Sequence, residues 1–129
     1  MGRIICQLEV ENTINPDKAI QMSALVDTGA SFLTLPTAWK ERLGDLQRFR
    51  EVELETASQA TVTGEICGPV TIRMEGFEPI VGEVLFIDME PSNGGTYEPL
   101  VGYIVLESCQ AGVDMVGHRL VPVKYMDLK

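Results

Sequence analysis

Asp27 stands between two apolar runs, Ala24-Leu25-Val26 before it and Phe32-Leu33-Thr34-Leu35-Pro36 after the short turn Thr28-Gly29-Ala30-Ser31. The pattern delivers a carboxylate to the mouth of a buried strand. Burying an unpaired carboxylate costs several kcal/mol, so a group in this position is paired, hydrogen-bonded or needed for chemistry. Taken alone, Asp27 reads as a strand-end aspartate that caps its own turn. A second copy of the same carboxylate, from another chain, would make it a catalytic pair.

The chain has 129 residues, the size of one domain with a real core, and we read 1–129 as a single unit. Nineteen acidic and ten basic side chains give a net charge of −9, which argues against nucleic acid or an anionic membrane as a partner. No apolar stretch approaches the roughly 18–20 residues of a membrane span. The N-terminus runs straight into a strand-like pattern without a signal sequence. The three cysteines, Cys6, Cys67 and Cys109, are odd in number and sit among apolar neighbours, as packing residues in a reducing compartment do. The expected location is therefore cytoplasmic.

Short strands separated by glycine and proline turns dominate the chain. Ile4, Cys6, Leu8 and Val10 alternate with polar residues; Asn15-Pro16-Asp17 supplies a turn, and Ala19–Val26 resumes an extended run, predicting a hairpin. Pro36 suits a first helical position, with Ala38, Trp39 and Leu43 as the apolar stripe of a short helix ending at Gly44. A long hairpin is expected from Phe49 to Met74, with a break over 56–60 and a half-exposed strand at Glu51-Val52-Glu53-Leu54-Glu55. A further strand covers Ile80–Ile87. After a glycine-rich loop come the short strand Pro99–Gly102, a helix over Tyr103–Gln110, an extended Val113-Asp114-Met115, and a turn at His118-Arg119 into Leu120–Val123. Trp39, Phe49, Phe77 and Phe86 read as core. The sum is an all-β, closed barrel with one or two short helices.

Leu25-Val26-Asp27-Thr28-Gly29-Ala30-Ser31, with Leu100-Val101-Gly102 following such that Gly102 lies 75 positions after Asp27, resembles the retropepsin-like aspartic proteases. The resemblance extends over about residues 3–124 and is strongest at those two blocks. It implies the acid protease barrel with a flap hairpin and, since only one Asp-Thr-Gly occurs, a homodimer in which a two-fold axis brings Asp27 to its own symmetry mate.

Peptide hydrolysis by a water held between the two Asp27 side chains follows from that resemblance, with no metal or other cofactor. It also implies the supporting roles. Thr28 would brace the partner's loop, the Gly29 N–H would stabilise the carboxylate, Ala30 and Ser31 would complete the loop, and Leu100, Val101 and Gly102 would pack beneath it. The flap is expected at Ala57, Ser58, Gln59 and Ala60, where the segment 56–63 lacks the glycines of viral members. Tyr103 stands where viral relatives often carry a charge. These two departures keep open a catalytically silent dimeric module that binds a protein or peptide partner.

Other chemistries lack their residues. His118 is the only histidine, too little for a zinc site. Ser31 lacks a Gly-x-Ser-x-Gly context and a credible triad.

Overall fold

Alternation of apolar and polar residues builds the first hairpin of the computed structural model, which describes residues 3–55, 59–91 and 94–123. Strands β1 (Ile5–Asn12) and β2 (Ala19–Val26) pair antiparallel, with Leu8 opposite Met22 and Val10 opposite Ile20. These residues point inward, while Gln21 and Ser23 face solvent. Period-two side-chain geometry leaves this register as the one that buries all four.

The remaining strands are β3 (Leu33–Pro36), β4 (Gln47–Glu55), β5 (Thr61–Met74), β6 (Ile80–Ile87), β7 (Leu100–Val101), β8 (Ala111–Asp114) and β9 (Arg119–Pro122). The order in the large sheet is β1-β2-β7-β3-β6-β5-β4, and β1 also pairs with β5, with Val10 opposite Ile72. That second pairing closes six strands into a barrel, so the core strands have no open edge. β4 extends outward from β5 as a hairpin arm. β8 and β9 form a separate two-stranded sheet.

β3 lies between β7 and β6 and all four of its residues are buried, which accounts for its continuous apolar run. Leu33, Leu35, Ile66, Val70, Ile72, Val84, Phe86 and Val101 fill the interior.

A buried asparagine fastens the hairpin to the rest. Asn12 Nδ2 donates to the carbonyls of Leu43 and Asp45 at 2.8 and 2.9 Å, and its Oδ1 accepts from the amides of Ile14 and Asn15. One side chain thus satisfies two segments of irregular backbone at once.

Four local expectations need correction. Pro36 is the last residue of β3, extended at φ −69° and ψ 141°, and the helix after it is a 3-10 helix over Thr37–Leu43. Pairing of Pro36 with Ile87 in the parallel ladder outweighs the proline's fitness for a helix start. The second helix, α1 (Tyr103–Ser108), is shorter than the pattern suggests, because Gln110 takes a left-handed conformation and reverses the chain. Phe49 is exposed rather than core, since it lies on the outward arm β4. Met115 belongs to the turn between β8 and β9, not to a strand. Among the described residues, no helix is long and apolar enough to cross a membrane.

Candidate active site

Two adjacent segments clamp the end of β2. The Val26 amide donates to the Ile4 carbonyl at 2.8 Å on one side, and on the other Leu25 and Asp27 donate to the carbonyls of Pro99 and Val101 at 2.9 and 3.0 Å. Asp27 therefore leaves the sheet from a backbone held on both flanks. Parallel pairing of Leu25 with Leu100 and Val26 with Val101 inserts β7 between β2 and β3.

The turn then closes on itself. Ala30 N–H donates to the Asp27 carbonyl at 3.1 Å, and Gly29 N–H donates to Asp27 Oδ1 at 2.9 Å. A Cβ on Gly29 would stand 3.2 Å from that same oxygen, so the glycine permits a tight approach of backbone to carboxylate. Asp27 is half-buried, and Thr28 and Gly29 are exposed beside it. This environment places a carboxylate at the barrel's rim with one oxygen held by an amide donor.

Helix α1 supports the turn from behind. The first amides of a helix lack intrahelical partners. Here Tyr103 N–H donates to the Ala30 carbonyl at 2.9 Å and Ile104 N–H to the Ser31 carbonyl at 3.0 Å. Ala30 and Ser31 thus enter through their backbone. The fit requires Gly102, where an added Cβ would lie 2.5 Å from the Ser31 carbonyl carbon and 2.7 Å from the Ala30 carbonyl oxygen. Leu100 is half-buried, and Val101 is fully buried under the turn.

Asp27, Thr28, Gly29, Ala30, Ser31, Leu100, Val101 and Gly102 accordingly come together at one end of the barrel. Of the residues expected in the flap, Ala57 and Ser58 lie outside the described residues. Gln59 and Ala60 are exposed where the chain enters β5, and Gln59 has a φ of 65°. That left-handed conformation costs a non-glycine residue about 1–2 kcal/mol.

Two features at this end escaped the sequence reading. Ile5, Leu25 and Leu100 are cross-strand neighbours on the outward side of β1, β2 and β7, an apolar row beginning two residues from Asp27. Its signal was present, because Ile5 and Leu25 interrupt the polar side of otherwise alternating strands. Arg3 and Glu98 form an ion pair from the segments flanking β2, and they are 95 residues apart. No local pattern links them.

Cavities of about 430 Å³ open elsewhere, one bordered by Gln7, Gln21, Arg73 and Glu75 and another by Trp39, Arg42 and Tyr97; neither reaches Asp27. Asp27 itself is half-buried, between exposed Thr28 and half-buried Val26. Among the described residues, no cluster of three or more His, Cys, Asp or Glu side chains is placed to hold a metal ion.

Residues 10–103 match the aspartyl protease family, a span that runs from the first hairpin through Asp27 to the start of α1. No curated protein sequence matches the chain significantly. Among solved structures, the EIAV protease complexed with the inhibitor HBY-793 superposes with a TM-score of 0.64 at 21% identity, covering 88% of this chain and 94% of that one. This likeness shows the same fold, a retropepsin-like barrel. The family match covers most of the sequence and includes the clamped Asp27 turn, and the chain belongs to the aspartyl protease family, on a retropepsin-like fold.

Proposed function

We propose that this chain is one half of a homodimeric aspartic endopeptidase whose catalytic pair is Asp27 and the same residue of a second copy. The observation that carries this reading is the single Asp-Thr-Gly turn, rigidly clamped yet opening onto the surface with its carboxylate held by Gly29. One carboxylate does not make an acid and a base. Two brought together by a two-fold axis do, because carboxyls in contact share one proton, the established behaviour of aspartic protease pairs.

In the proposed reaction the ionised Asp27 takes a proton from water as its oxygen attacks the scissile carbonyl carbon, while the protonated Asp27 donates to the carbonyl oxygen. Collapse of the resulting diol breaks the C–N bond, and the proton passes to the leaving amine. Thr28 would brace the two turns against each other. The β4–β5 arm, ending at Gln59 and Ala60, would cover an extended peptide, and the row Ile5, Leu25 and Leu100 would receive its apolar side chains. Three free cysteines fit a reducing compartment, which supports a cytoplasmic location.

The test is sedimentation of the purified protein together with cleavage of a peptide library from acidic to neutral pH. The expected result is a dimer that cleaves peptides, with Asp27→Asn folding and dimerising normally but losing about 10²–10⁴-fold or more in rate. A folded dimer without cleavage dependent on Asp27 would leave a peptide-binding module in place of an enzyme.

A further inference from the structure

Charge is distributed unevenly over the hollows of this surface. Four cavities are each bordered by at least one carboxylate, Glu9, Glu83, Glu78 and Glu65 among them. A fifth, of about 430 Å³, is bordered by Gln21, Ser23, Trp39, Arg42 and Tyr97 and by no acidic residue. On a chain with net charge −9, an anion can enter this hollow without repulsion from its walls.

Arg42 supplies the positive charge there, and that charge is uncommitted. Arg3, Lys40, Arg48, Arg73 and Arg119 each reach a carboxylate, whereas no carboxylate of the described residues lies within ion-pair distance of Arg42. Its guanidinium lies instead over the Trp39 ring, 5.4 Å from the centroid. Stacking engages the face of the guanidinium and leaves the N–H groups in its plane to bind a carboxylate.

The platform under Arg42 is fixed. Trp39 meets Tyr97 edge to face, with centroids 6.0 Å apart and ring planes at 83°. Trp39 is half-buried and packs on the core. The 3-10 helix that carries Trp39 and Arg42 ends at Leu43, which is fully buried and whose carbonyl accepts from Asn12 Nδ2. Gln21 and Ser23, on the outward side of β2, add an amide and a hydroxyl. A cation beside aromatic ring surface is matched by an acidic side chain next to an apolar one. The cavity opens to solvent, so a polypeptide carrying that pair can continue past it at both ends.

We infer that the cavity between Trp39, Arg42 and Tyr97 binds an acidic peptide segment, a carboxylate beside an aromatic or aliphatic side chain, at a site separate from the Asp27 turn. Arg42 holds the carboxylate, and Trp39 and Tyr97 receive its apolar neighbour. Asp27 lies four positions beyond Ser23 along the chain, about 13 Å away at the rise of a strand. Binding here requires neither cleavage nor dimerisation, so it stands or falls independently of the peptidase reading.

Trp39 is the chain's single tryptophan, so its fluorescence reports directly on this cavity. The probe is the acetylated and amidated tetrapeptide Gly-Phe-Glu-Gly, titrated into the full chain carrying Asp27→Asn so that no hydrolysis intervenes. A saturable change in Trp39 emission is expected. Replacing the peptide's Glu by Gln, or Arg42→Gln in the protein, should each weaken binding at least about tenfold, through loss of a charge-assisted bidentate contact. Arg42→Lys should weaken it less. Circular dichroism checks the folding of the variants, and the comparison of the two peptides on intact Arg42 serves if a variant does not fold. Equal binding of the two peptides, undiminished binding by folded Arg42→Gln, or no saturable change up to about 10 mM peptide overturns the site. Phenylacetate bound as tightly as the tetrapeptide overturns its assignment to a peptide.

Discussion

The backbone of Gly102 lies against Ala30 so closely that a methyl group on it would stand 2.7 Å from the Ala30 carbonyl oxygen. That oxygen also accepts the Tyr103 amide, so the same contact carries the support of the Asp27 turn. Gly102→Ala should therefore cost about 1–3 kcal/mol, through forced displacement of backbone rather than lost burial. Urea denaturation would measure it. Peptide cleavage should fall more than stability does, because the displaced atoms position Asp27.

Asn12 donates to two carbonyls and accepts from two amides, in a turn and around the end of the 3-10 helix. In Asn12→Asp an ionised oxygen would face the Leu43 and Asp45 carbonyls, and the loss should exceed the roughly 1–3 kcal/mol of an ordinary unsatisfied buried group. The folded state disfavours the charged form and so raises that carboxyl's pKa. The part of the penalty due to ionisation should vanish below the unfolded pKa and grow as pH rises, leaving in acid the smaller cost of one carbonyl without its donor, which thermal melts at acidic and neutral pH will detect.

Lys40 donates to Glu65 at 2.6 Å, and this hydrogen bond is the main cause holding the Glu65 carboxyl below its ordinary range. A depressed carboxylate stabilises the fold above its unfolded pKa and ceases to do so as pH falls through the folded value. Both side chains remain about one-third exposed, so the contribution should be under about 1 kcal/mol. Glu65→Gln should be slightly less stable than the wild type near neutrality and indistinguishable from it in strong acid, by paired melts.

Burial pushes the Cys6 thiol up to about 11 and raises Cys67 and Cys109 as well. At pH 8, a thiol of that pKa is ionised to about one part in a thousand, and the thiolate is the reactive form. Native protein should react only slowly with Ellman's reagent, and denatured protein should release all three thiols quickly. Fast reaction in the native state would show that these cysteines are not packed as described.

The hairpins were legible because their information is local. Val10 and Ile20, or the alternation in Glu51–Glu55, declare their faces through the period of two, whatever lies across from them. Pro36 was misplaced by one role, since the parallel partner Ile87 that keeps it in a strand is 51 residues away. Phe49 was misread because hydrophobicity does not reveal that β4 stands outside the barrel. Arg3 and Glu98 could be joined only by a fold that sets both beside β2.

The order of residues by itself determined the strands, the two glycine-bearing blocks and the presence of a lone Asp-Thr-Gly, because turn chemistry and side-chain alternation act over a few neighbouring positions. Tertiary structure decided how those pieces meet. It inserted β7 between β2 and β3 and pressed Gly102 onto the Asp27 turn. Contacts between segments distant along the chain depend on strand order and closure, and only the folded barrel supplies these.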